Sequence, residues 1–171
     1  LWEYVTISLT NSFGVSLMLV QTSTAVQPFL GSEIKASYEA SRVVILPIPY
    51  EATTTYRKGC KNGPDALLEA SVQLEYYDDE LDRETCWDAR IYTHPHIADT
   101  RQDEQACSSE NMLSITRETV SKLIQDGKFA IALGGEHSIS TAIVEAYREA
   151  LSEPFTVIQI DAHGDMRHEY E

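Results

Sequence analysis

Two short stretches concentrate the residues of this chain that could do chemistry: Gly134-Gly135-Glu136-His137-Ser138 and Asp161-Ala162-His163-Gly164-Asp165. Asp161, His163 and Asp165 alternate along the chain. A strand-like continuation would send all three side chains to one side, because extended backbone has a side-chain period of two. With His137 they supply oxygen and nitrogen donors that can converge on a cation. A single histidine near a helix start is more often a cap or a packing residue, Asp161 alone suits a cap or turn, and Gly164 suits the turn. The joint pattern differs, because carboxylates isolated at a buried strand end are costly unless paired or metal-bound. Mixed carboxylate and imidazole without thiolate suits Mn²⁺, Fe²⁺, Ni²⁺ or Zn²⁺ and argues against a soft-metal site. A carboxylate has two oxygens and can bridge two ions, which clamps and activates a water. Such a water titrates near a pKa of roughly 7, so hydroxide is available at neutral pH to attack an unreactive, resonance-stabilised carbon.

The flanking elements must place these donors together. Residues 43–48 (VVILPI) are apolar and β-branched, which predicts a buried strand with Pro47 near its end. After a polar loop, Gly63-Pro64-Asp65 opens a helix running to about Leu74, with Pro in the first turn and Asp complementing the dipole. Residues 75–90 are strongly acidic and expected on the surface, and 91–97 read as a second strand. From Ser108 the pattern is helical, with Met112, Ile115, Thr116, Val120, Leu123 and Ile124 on one face and Gly127 as the stop. Residues 129–133 read as a strand ended by Gly134-Gly135, 138–151 as a helix, and 155–160 as another buried strand. Strand, helix and strand with continuous apolar strands predict a right-handed βαβ unit in a parallel sheet covered on both faces. Ligand sites in such sheets lie beyond the carboxyl ends of the strands, where both chemistry-bearing stretches fall. Residues 1–40 show no sustained period and read as an irregular lead-in.

At 171 residues the chain suits one domain with a core. A composition 43% hydrophobic and 23% charged is that of a globular protein rather than a disordered one. The formal charge of −14 repels phosphate backbones and anionic membranes, which argues against nucleic-acid and membrane partners. Most of that charge makes a solvated surface, though it also suits cationic small molecules. Cys60, Cys86 and Cys107 have neither metal-type spacing nor an even count, as expected of reduced thiols in the cytoplasm. The first cationic residue is Lys35, so the start lacks the charged region of a secretory signal. The apolar stretch 13–20 is far shorter than a membrane span. Beginning at Leu1 suggests an extension or an internal fragment, with Met18 a candidate start and residues 1–17 then irrelevant to the fold.

The paired stretches 134–138 and 161–165 resemble the signature pair of the ureohydrolases, the arginase and agmatinase family. The resemblance extends from about Arg42 to the end and includes Pro47-Ile48-Pro49-Tyr50-Glu51-Ala52-Thr53, Tyr56-Arg57-Lys58-Gly59 and Gly63-Pro64. It implies a three-layer α/β/α fold with a mainly parallel sheet, incomplete at the C-terminus, in residues 41–171. It also implies two Mn²⁺ ions, with Ni²⁺ the alternative. His137 would bind one ion, His163 the other, Asp161 both, and Asp165 would complete the first ion's ligands on this side. The bridging hydroxide would attack a guanidinium carbon to release urea and an amine. Glu136 and Ser138 match the pattern without being ligands, as helix start and support for the site. The following segment, Met166-Arg167-His168-Glu169-Tyr170-Glu171, looks like the agmatinase subgroup, although His168 stands where an Asp is common. Arginases carry Asn and Thr there. The resemblance thus implies hydrolysis of agmatine to putrescine in polyamine biosynthesis, by a protein that is a homo-oligomer when full length. Other guanidino hydrolases, acting on guanidinobutyrate, guanidine or arginine, are the alternatives. The family's later Asp-x-Asp ligands and proton-shuttling His would fall beyond residue 171. A chain of this length is therefore expected to be impaired, or to be a non-catalytic metal-binding fragment.

Overall fold

The computed structural model describes residues 26–102 and 107–165. The segments 1–17 and 166–171, on which the start site and the substrate subgroup were read, lie outside these residues. Among the described residues the elements run β1 (Val43–Ile48), a 3₁₀ turn (Cys60–Asn62), α1 (Gly63–Ser71), α2 (Thr85–Ala89), β2 (Ile91–Thr93), α3 (Ser109–Gln125), β3 (Phe129–Gly134) and α4 (Ile139–Ala150).

The three strands form a parallel sheet in the order β2-β1-β3. β1 is central, and its alternate side chains feed two cores. Val44, Leu46 and Ile48 pack with Met112, Val120, Leu123, Ile139 and Ala146 of α3 and α4. Ile45 packs on the opposite face with Leu68 of α1, Cys86 and Ile91, joined by Leu30 and Ile34 from the irregular segment before β1. Helices therefore lie on both faces of a parallel sheet, the expected α/β architecture. Pro47 is tolerated inside the central strand for a register reason. Pairing with β2 ends at Ile45↔Thr93, so the side on which Pro47 lacks an N–H has no strand to receive one. Its carbonyl still accepts from Ile97 N at 3.2 Å.

Local signals set most boundaries. Ser108 caps α3 by accepting from Asn111 N at 3.2 Å, and Gly127 leaves it at φ +68°. Met112, Thr116, Val120 and Leu123 are its buried residues. Ile115, expected among them, lies at the margin of that stripe and is 40% exposed. β2 is shorter than the predicted 91–97: His94 N still bonds Ile45 O at 2.8 Å, and Pro95 then removes a donor.

Two expectations fail at the β3 edge. β3 is not covered on both faces: Phe129 and Ile131 are exposed, since the nine-residue α1 reaches Leu133 but not its neighbours on that face. Residues 155–160 do not form the predicted buried strand, and Ile158 and Ile160 are 84% and 99% exposed. The two facts share a cause. A strand added beside β3 would meet the same open face, and without burial there is nothing to offset the entropy of ordering it. With no fourth strand among the described residues, the crossover through α4 has no handedness to assign.

Candidate metal centre

The carboxyl ends of β1 and β3 stand side by side at the pair Ile48↔Gly134, and the chain turns there into the first chemistry-bearing stretch. Gly135 N donates to Ile48 O at 3.1 Å and Glu136 N to Tyr50 O at 2.9 Å, so the turn is laced to the chain leaving β1. A Cβ on Gly135 would sit 1.9 Å from the Tyr50 carbonyl oxygen, which leaves room for glycine alone. His137 emerges from this turn immediately before α4, and its carbonyl accepts from Ser140 N at 3.0 Å.

The second stretch comes back to the same place. His137 Nδ1 lies 3.5 Å from Asp161 Oδ2 and 3.3 Å from Asp165 Oδ2. One ligand atom from each of these three residues falls within 4.8 Å of the others, so the group could hold a metal ion. His163 approaches the other oxygen of Asp161, with Nδ1 3.4 Å from Oδ1. Convergence comes from a bend over 161–163, not from strand-like alternation, and Asp165 sits at φ +46°, where Asp is among the more tolerant residues. The His163 backbone N–H donates to Asp161 Oδ1 at 2.9 Å. That bond, assisted by the two imidazoles, holds the Asp161 carboxyl below the usual carboxylate range. Imidazole and carboxylate without thiolate are a donor set suited to Mn²⁺ or a similar divalent ion. His137, Asp161 and Asp165 come together, and His163, 82% exposed at its side chain, stands on the outer flank of Asp161.

Several supporting residues were not singled out by sequence. Gln159 Nε2 donates to Asp165 Oδ2 at 2.8 Å and to His163 O at 3.3 Å, closing the 159–165 bend on itself. Its spacing two residues before Asp161 was the available signal. Glu51 is buried, and one oxygen accepts from Gly59 N at 2.7 Å and Lys61 N at 3.1 Å. Cys60 also donates its thiol to Glu51. Burial and that bond push the Cys60 thiol up to about 11, so it remains a thiol and is no nucleophile. After β2, Arg101 grips Asp99 with two 2.8 Å bonds and also bonds Asp65 of α1, while His96 Nε2 lies 2.6 Å from Asp65 Oδ1. The bonds to Asp65 unite residues 31 and 36 positions apart, which local sequence cannot foresee.

Residues 41–171 match the arginase family. The chain is 51% identical over 143 residues to N(1)-aminopropylagmatine ureohydrolase of Synechocystis sp., covering 84% of this chain and 46% of that protein. It is 36% identical over 139 residues to an agmatinase of Bacillus anthracis, covering 79% and 44%. The solved agmatine ureohydrolase of Thermoplasma volcanium superposes with a TM-score of 0.58 at 27% identity, covering 71% of this chain and 39% of that one. The chain thus spans somewhat less than half the length of these relatives.

Proposed function

The chain belongs to the arginase family, and from that premise we propose that the protein hydrolyses a guanidino group to urea and an amine, with His137, Asp161, His163 and Asp165 as metal ligands. The observation that carries this reading is the placement of Asp161, whose two oxygens face two different imidazoles. A carboxylate so placed can be shared between two cations, while His137 and His163 each serve one. Asp165 adds a second carboxylate on the His137 side, and Gln159 holds it there. Bound by these residues, Mn²⁺, or Ni²⁺ in its stead, would supply Lewis acidity and lower the pKa of a water for attack on the guanidinium carbon.

Two substrates are supported by the relatives, agmatine and N(1)-aminopropylagmatine. The higher identity favours the second, which carries an additional amino group that suits an acidic protein. The reading carries with it a cytoplasmic, homo-oligomeric enzyme of polyamine synthesis, with neither nucleic acid nor membrane as partner. Among the described residues no helix is long and apolar enough to cross a membrane. The test is urea release by the protein as it occurs naturally, supplied with Mn²⁺ and given aminopropylagmatine, agmatine, guanidinobutyrate, guanidine and arginine separately. Turnover of aminopropylagmatine above the rest is expected. Urea from none of them would end the proposal, and a preference for agmatine would return the assignment to the agmatinase subgroup.

For residues 1–171 alone a second reading is metal binding without turnover. It is supported by how open the cluster is, with the side chains of His137 and Asp165 half exposed. Calorimetric binding of Mn²⁺ without urea release would select it.

A further inference from the structure

Glu136 is buried beside the most exposed part of the molecule's chemistry, and it is fully engaged. Its Oε2 accepts from Ala52 N at 2.7 Å and Thr53 N at 2.8 Å. Its Oε1 accepts from Thr53 Oγ1 at 2.5 Å and Ser138 Oγ at 2.6 Å. Four donors from two separate segments therefore meet on one carboxylate, and the residue between the two that provide the near side, Glu136 and Ser138, is His137. Capping α4 does not explain this arrangement. Ser138 makes no side-chain cap, and three of the four donors belong to the chain beyond β1.

A clasp can position a side chain only if its far end is fixed. Tyr50 is fully buried, and its carbonyl receives Glu136 N. Glu51 N donates to Thr100 Oγ1 at 3.1 Å, and the Glu51 carboxylate ties the same stretch to Gly59 and Lys61. The anchor at 50–53 is thus secured by the loops after both β1 and β2. His137 itself is half exposed.

We propose that Glu136 is a positioning residue for His137, clamping the 135–138 turn to Ala52 and Thr53 so that the imidazole is presented to Asp161 and Asp165. This rests on the reading of His137 as a metal ligand. Only a carboxylate takes charge-assisted bonds from all four at once; an amide here would keep the two backbone N–H bonds but turn its N–H₂ to the Thr53 and Ser138 hydroxyls, which must then rotate to accept, and the negative charge that draws the four together is lost. Supporting partners of this kind are worth roughly tenfold to a hundredfold in metal affinity.

The experiment compares Mn²⁺ binding by calorimetry and pulsed EPR in the natural protein and in Glu136→Gln, Thr53→Val, their double variant and His137→Ala. Glu136→Gln should bind Mn²⁺ about tenfold to a hundredfold more weakly. It should also lose the nitrogen coupling that His137→Ala identifies as that of His137. Thr53→Val, which keeps the backbone donors, should weaken binding less, and the double variant should be no worse than Glu136→Gln alone. Unchanged affinity and coupling in Glu136→Gln would overturn the proposal. If Glu136→Gln fails to fold, unchanged His137 coupling in Thr53→Val would overturn it equally. Failure of the natural protein to bind Mn²⁺ at all would instead sink the reading of the site beneath it.

Discussion

Asp161 stands between two imidazoles, its Oδ2 3.5 Å from His137 Nδ1 and its Oδ1 3.4 Å from His163 Nδ1. The same carboxylate is anchored by the backbone N–H of His163, so its two oxygens are oriented before any ligand arrives.

Asp161→Asn keeps the shape but replaces one oxygen with a group that cannot ligate. Mn²⁺ affinity should fall by more than the roughly hundredfold that loss of a supporting partner costs. Asp165→Asn should cost less, because His137 is the one imidazole its carboxylate faces. Calorimetric titration of the two variants decides; equal losses would speak against Asp161 as the shared ligand.

Gly135→Ala places a Cβ against the Tyr50 carbonyl, which is backbone and cannot swing away. The turn must open, and the bonds from Gly135 N and Glu136 N are lost with it. A destabilisation of about 3 kcal/mol is expected from overpacking of this kind. It would appear as a drop in Tm of roughly 6–12 °C. A Tm within a degree or two of the parent would show that the turn is looser than this contact implies.

Acid should loosen the clamp between the loop after β2 and α1. Burial pushes the carboxyls of Asp99 and Asp65 up, but the bonds from Arg101 outweigh it and leave both below the usual carboxylate range. A depressed carboxyl contributes stability that is present above its unfolded pKa of about 3.9 and is lost as pH falls through the lower folded value. Urea denaturation at pH 7 and near pH 3 should therefore show a smaller acid loss in Asp99→Asn than in the parent. Arg101→Ala should cost about 2 kcal/mol at pH 7, since its hydrogen bonds are to charged groups.

The uncovered edge makes a separate prediction for the 171-residue chain. Phe129, Ile131, Val157, Ile158 and Ile160 are all exposed, and among the described residues no strand pairs with the outer edge of β3. Such edges invite pairing with other chains. Ile158→Lys should lower the aggregated fraction seen by light scattering and leave Tm unchanged. A large fall in Tm would mean that Ile158 is packed.

The residues of the candidate site were legible because they are written locally. His137 and the Asp161-Ala162-His163-Gly164-Asp165 run follow apolar stretches and are separated by an amphipathic helix, and these features need no long-range information. The same holds for β1, α3 and α4, whose β-branched run, Ser108 cap and Gly127 stop act within a few residues. Residues 155–160 show the limit. Their apolar, β-branched character suits a strand, but a strand forms only where an edge and a covered face receive it, and that depends on elements elsewhere in the chain.

The amino-acid order by itself determined which donors exist, the helices that carry or separate them, and the family they resemble. Tertiary structure alone decided that Asp161 is shared between His137 and His163, because a bend brings those atoms together where alternation would have lined them up. It also decided that Glu136 belongs to Ala52 and Thr53, more than 80 residues away. Such pairings arise when parallel strands set their carboxyl ends side by side, and nothing local to either segment encodes the meeting.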